Sequence, residues 1–155
     1  MADRVKILHI IVGLDGGGAE RNLKRLIDAH AGDSRYQHSV VSLTTIGDIG
    51  GALRDSGIEV RALNMRSPFG IPRALWKLQR LIHTERPDIV QTWMYHADLL
   101  GGVAAHIAGN PRVVWGIHTT EMMTGTSRAT AVVRRVCAAL SRRVPRVIVC
   151  VAEAS

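Results

Sequence analysis

Aromatic residues are scarce in this chain of 155: three Trp, two Tyr and one Phe, 4% of the whole. None forms a stacking motif among the basic residues, which argues against nucleic acid as the partner. Cysteine is nearly as rare. Cys137 and Cys150 each stand inside an apolar pattern and read as reduced core thiols, not as a disulfide framework. Long apolar runs are missing too: the longest, residues 147–152, has six residues, far short of the roughly 18 that span a bilayer. The opening Met1-Ala2-Asp3-Arg4 leads into a strand-like run without a small-residue cleavage site, so no signal peptide is read and a cytoplasmic location is expected. No repeat, low-complexity tract or flexible linker interrupts the chain.

What is present suits one globular domain, residues 1–155: 46% of residues are apolar and 21% charged. Acidic residues are outnumbered by 13 to 20, giving +7, and 17 of the 20 bases are arginine. Residues 99–155 hold seven arginines against Glu121 and Glu153. Such an excess implies an anionic partner, whether phosphate-bearing ligand, membrane head group or nucleic acid; the alternative is a set of solvated helix faces.

Short apolar runs alternate with helical periodicities along the whole length. Strands are predicted at residues 5–12, 37–43, 58–63, 88–92, 112–117 and 146–151. Helices are predicted at 19–31, 51–56, 72–85, 97–108 and 128–144, the third opened by Pro72 and closed by Pro87. Nearly continuous apolar strands between helices indicate a parallel sheet covered on both faces. Right-handed crossovers then give a Rossmann-like, doubly wound sheet of about six strands in the order 3-2-1-4-5-6.

Ligands of such sheets bind beyond the carboxyl ends of the strands, where the order reverses. Three segments converge on that crevice: the turn 13–18, residues 93–96 and residues 118–121. The turn reads Gly13-Leu14-Asp15-Gly16-Gly17-Gly18 and opens a helix. Its glycines permit close backbone approach, and the helix N-terminus is an anion site. It lacks the Gly-Lys-Ser/Thr of a triphosphate loop, and G-x-x-G-G-G is not the dinucleotide fingerprint. A nicotinamide-binding domain is therefore a minor alternative.

Of seven histidines, His9, His30, His38, His83 and His106 fall within strands or helices and read as structural or surface residues. His96 and His118 follow their strands on the ligand side. Asp98 and Glu121 could flank the crevice as a carboxylate pair. No His, Cys and Asp cluster at ligand spacing points to a metal, and no nucleophile triad can be assembled. Arg73, Lys77 and Arg80 share one helical face, and Arg128, Arg135 and Arg142 recur every seven residues. These six define a candidate membrane-facing surface on anionic lipid.

The segments ILHIIVGLDGGGAERNL, GIEVRALNM, RPDIVQTWMYHADLLGGVAA, RVVWGIHTTE and SRRVPRVIVCVAEAS together resemble the N-terminal domain of the retaining glycosyltransferases of family 4, which have the GT-B fold. The resemblance covers essentially the whole chain. It implies two Rossmann-like domains facing across a cleft, of which this chain is the acceptor-side one, the nucleotide-sugar domain lying outside it. It implies that Gly16, Gly17 and Gly18 approach the donor phosphate or sugar and that His118 hydrogen-bonds the transferred sugar. Asp15, His96 and Glu121 fall on the acceptor side. Neither metal nor cofactor is implied beyond the nucleotide-sugar substrate. The acceptor would be an envelope, lipid-linked or saccharide molecule, and the enzyme would sit at the inner face of the cytoplasmic membrane. The alternative is a non-catalytic α/β module docking on anionic membrane or a partner protein.

Overall fold

The computed structural model describes residues 4–110, 112–118 and 128–151. Six strands, β1 (Val5–Ile11), β2 (Tyr36–Ser42), β3 (Glu59–Ala62), β4 (Ile89–Trp93), β5 (Val113–His118) and β6 (Val147–Val151), alternate with helices. The helices are α1 (Gly18–Ala29), α2 (Gly47–Asp55), α3 (Ile71–Glu85), α4 (Tyr95–Ile107) and α5 (Arg128–Leu140), and a 3-10 turn, Pro68–Gly70, precedes α3. All neighbouring strands pair in parallel, in the order β3-β2-β1-β4-β5-β6. This is the predicted Rossmann-like sheet, with its reversal between β1 and β4.

Side-chain alternation along β1 divides the core in two. Leu8 and Ile10 pack under α3, α4 and α5, with Leu78, Ile82, Ala104 and Trp115. Ile11 packs on the other face with Leu23 and Ile27 of α1 and Leu53 of α2. Burial at Ala19, Leu23 and Ile27 follows a spacing of four, which holds one stripe of α1 on the sheet. α4 is stacked closest. A Cβ on Gly101 would stand 2.7 Å from the Thr92 Cγ2, so only glycine fits where that helix crosses β4.

Element ends shift from the sequence prediction, and three of the shifts have an identifiable cause. α2 begins at Gly47, because Ile49 N–H donates to the Leu14 carbonyl at 3.0 Å and ties this helix to the glycine turn. α4 begins at Tyr95, so His96 lies in a helical first turn. α5 ends at Leu140, whose carbonyl accepts from both Arg143 and Val144 N–H, a tightened turn before Pro145. Cys150, predicted to be a core thiol, is exposed: β6 is the edge strand, and Val147, Ile148 and Val149 beside it are also 40–49% exposed. Cys137 is buried as predicted, and both thiols are free.

Candidate functional site

The carboxyl ends of β1, β4 and β5 lie side by side: Ile11 pairs with Trp93, and Trp93 with Gly116. Adjacent strands sit about 4.8 Å apart, so the glycine turn and the end of β5 are separated by roughly 10 Å. The glycine turn, residues 93–96 and His118, the described residue of the third segment, thus meet the same end of the sheet.

The turn is shaped from below. Thr44 Oγ1 donates to the Val12 carbonyl at 2.8 Å. Gly16 has φ 126°, which L side chains avoid. Gly17 precedes α1 without any side-chain cap, and a Cβ there would meet the Glu20 carboxylate at 2.5 Å. Gly18 begins the helix with open space beside it. Three consequences follow. The first N–H groups of α1 have no intrahelical acceptor. The helix dipole adds positive potential at that end. Glu20 folds back over it, so an anionic ligand arriving there displaces a carboxylate already complementary to the site. Asp15 is exposed, its Oδ1 resting where a Cβ of Gly47 would stand.

At the end of β4, Met94 has φ 73° and ψ 154°, a backbone region almost confined to glycine and costing of order 1–3 kcal/mol. Two hydrogen bonds hold it there: its N–H donates to the Gly116 carbonyl at 3.0 Å, and its carbonyl accepts from Asp98 N–H at 2.8 Å. The strained residue turns the chain sharply from β4 into α4 and brings His96, exposed, to the sheet edge. Sequence reasoning missed Met94, since nothing in its residue type signals positive φ.

Asp98 does not flank the crevice as anticipated. Its side chain is fully buried, accepting from Thr92 Oγ1 at 2.5 Å and from Gly116 N–H. It ties α4 to β4 and β5. Burial pushes its carboxyl up to about 7, against the downward pull of those two donors, and Oδ2 finds no partner among the described residues. The signal was available: small residues along α4 bring that helix so near the sheet that a side chain at its first turn is enclosed. Cys137, close by, has its thiol pushed up to about 11 by burial and by the Asp98 charge, which makes it unreactive.

His118 closes β5, in register with Val151. Its side chain, and all of Glu121 and Glu153, lie outside the described residues. Among the described residues no three His, Cys, Asp or Glu side chains gather as a metal site. The larger cavities are elsewhere. One of about 460 Å³ is lined by Arg86, Asp88 and Arg112, and one of about 550 Å³ by His30, Tyr36 and Glu59; both sit at the opposite edge.

Arg73 and Arg80 are exposed on α3 and Lys77 is half-buried. Arg128 and Arg135 are exposed on α5. Arg142 is exposed as well but follows the end of α5, so the seven-residue repeat does not continue along one helix as predicted. α4 packs between α3 and α5, which sets the basic residues on one layer. No helix among the described residues is long and apolar enough to cross a membrane.

The family profile described as Glycosyltransferase Family 4 matches residues 16–154. Among curated proteins no sequence matches significantly. Among solved structures, MurG of Acinetobacter baumannii superposes with a TM-score of 0.67 at 21% identity, over 96% of this chain and 42% of MurG. Anabaena Alr3699/HepE in complex with UDP gives 0.69 at 22%, over 92% of this chain and 36% of that one. UDP-N-acetylglucosamine 2-epimerase of Rickettsia bellii gives 0.65 at 15%, over 97% and 40%. The chain therefore spans about two fifths of these structures. At such identities they establish a shared fold, that of the N-terminal domains of GT-B glycosyltransferases. The profile match covers most of the sequence, from Gly16 onward: the chain belongs to Glycosyltransferase Family 4.

Proposed function

We propose that the chain is the acceptor-side domain of a retaining, metal-independent glycosyltransferase that moves a sugar from a nucleotide-sugar donor to an envelope, lipid-linked or saccharide acceptor. The reading rests on one observation. The uncapped start of α1 at Gly17 and Gly18, the His96 turn and the end of β5 at His118 share the edge where the strand order reverses, in a chain of a glycosyltransferase family. Departure of a nucleoside diphosphate builds negative charge, and free helix-terminal amides oriented beforehand stabilise it. In this reading Gly16, Gly17 and Gly18 face the donor, His118 holds the transferred sugar, and Asp15, His96 and Glu121 face the acceptor. A form carrying both domains is expected to transfer labelled sugar from one of a panel of nucleoside diphosphate sugars to an envelope-lipid extract. Gly16→Val should reduce this at least tenfold, because the turn cannot hold its positive φ. A folded two-domain protein that transfers nothing from the panel overturns the assignment.

A specific observation favours membrane docking beside this chemistry. Phe69, at the head of α3, is 96% exposed and Trp76 is 56% exposed. Arg80 lies over the Trp76 ring at 5.4 Å, and Arg73 and Lys77 are on the same helix. Aromatic and cationic side chains on one surface helix suit an anionic bilayer interface. Co-sedimentation with vesicles containing anionic lipid is expected at low salt, weakened by Phe69→Ala with Trp76→Ala. Equal pelleting with neutral vesicles would show that charge does not drive it.

A further inference from the structure

Three histidines form a continuous column on the α1 face of the sheet. His9 Nε2 lies 3.0 Å from His38 Nδ1, and His38 Nε2 lies 3.0 Å from His30 Nδ1. The rings are stacked, with centroids 5.2 and 5.1 Å apart. At the inner end Trp93 Nε1–H donates to His9 Nδ1 at 3.3 Å. An indole nitrogen can only donate, and this fixes every proton in the column. His9 Nδ1 accepts, so its hydrogen is on Nε2 and points to His38 Nδ1. His38 then carries its hydrogen on Nε2 and donates to His30 Nδ1. All three rings are neutral Nε2–H tautomers in a chain of one direction.

A second proton on any ring has no place in this arrangement. Protonated His30 would present N–H at Nδ1 to the N–H of His38. Reversing both inner tautomers would keep those links, but it would set His9 Nδ1–H against the indole N–H of Trp93. One of the three links must therefore break. The outermost is the one that water can replace. His9 is fully buried and His38 nearly so, whereas His30, the residue closing α1, is half-buried beside the cavity of about 550 Å³.

Among the described residues, these charged groups surround this end. Asp33 pairs with Arg35 at 2.7 Å in the turn after α1, Asp28 with Lys24 at 2.6 Å on α1, and Glu59 with Arg61 on β3. Arg4 lines the cavity from the chain before β1. Tyr36 of β2 stacks on His30 at 4.5 Å, and β4 contributes the neutral Trp93.

We propose that the column is a pH-operated latch: neutral His30 ties the carboxyl end of α1 to β2, and protonation of His30 releases that end. α1 is a rigid rod of about 18 Å, and its other end forms the glycine turn, so the latch sets how firmly the turn is held. Acid acts at His30 because the inner rings resist it. Burial, then the neighbouring imidazoles, hold His9 down to about 3, and burial and His30 lower His38 as well.

Nitrogen-15 NMR of the histidine rings in this chain tests the proposal. At pH 8 all three rings should be Nε2–H tautomers. When the pH is lowered far enough to protonate His30, its contacts with His38 should be lost, and the amides of residues 31–35 should exchange roughly tenfold faster after correction for intrinsic rates, the worth of about one hydrogen bond. His30→Asn keeps an acceptor for His38 Nε2–H but does not titrate, and it should abolish the step. An inner ring in the Nδ1–H form at pH 8 overturns the latch. So does protonated His30 still stacked on His38, or a step that persists in His30→Asn. Should that variant not fold, the wild-type titration alone decides.

Discussion

On the proposed function, His118→Ala, made in a protein that joins this domain to a nucleotide-sugar domain, is expected to lower turnover by about 100- to 1000-fold, the usual loss when one donor oriented toward a transition state is removed. The position explains the size of the effect. His118 is the last residue of β5, two beyond the Gly116 that pairs with Trp93, so its backbone is anchored in the ladder at the edge where ligands of this fold bind. The melting temperature should be nearly unchanged, since the ladder bonds are main-chain ones and do not depend on the imidazole. Steady-state kinetics beside a thermal melt measures both. Full turnover in the variant removes His118 from the mechanism.

Asp98→Asn is expected to gain about 4 kcal/mol of stability relative to wild type between pH 4 and pH 8. The Asp98 carboxyl titrates at about 7 in the folded protein against an ordinary 3.8. Between these values the folded state binds a proton that the unfolded chain does not, so its contribution falls as pH rises, by about 1.4 kcal/mol per unit. Asparagine does not titrate and removes this slope. Its starting level at pH 4 is set separately, by how an amide replaces the carboxyl beside Thr92 and Gly116. His9 works in the opposite sense. Held at about 3 by burial and by His38 and His30, it loses stability as pH falls below 6.5. The two slopes offset one another between about pH 4 and 6.5, so the wild-type profile should be shallower there than that of the variant. Urea unfolding at pH 4, 6 and 8 tests this; a constant difference between variant and wild type would show that Asp98 is ionised throughout.

The elements that could be read from the sequence are those whose signal is local. Val147–Val151 is apolar at every position, and Ala19, Leu23 and Ile27 recur at helical spacing. Such patterns specify the strand or helix before any partner is known. Gly16 announced a turn because positive φ is almost a property of the residue. The elements misplaced are those bounded by contacts between distant segments. α2 starts at Gly47 because the Leu14 carbonyl accepts from Ile49, and α4 starts at Tyr95 because the Gly116 carbonyl accepts from strained Met94.

The histidines show the same division. Taken one by one in the sequence, His9, His30 and His38 read as structural or surface residues. Their column exists only because parallel pairing lays β2 beside β1 and α1 returns its last turn over both. By itself the sequence determined the alternation of strands and helices, the apolar stripes, the turn chemistry and the basic balance, all of which depend on residues near one another in the chain. Tertiary structure alone decided which polar groups are sealed from water: Asp98 under α4, His9 beside Trp93, and Cys150 left exposed on the edge strand. Desolvation and hydrogen-bond partnership depend on what segments dozens of residues away place against a side chain, and no local pattern records that.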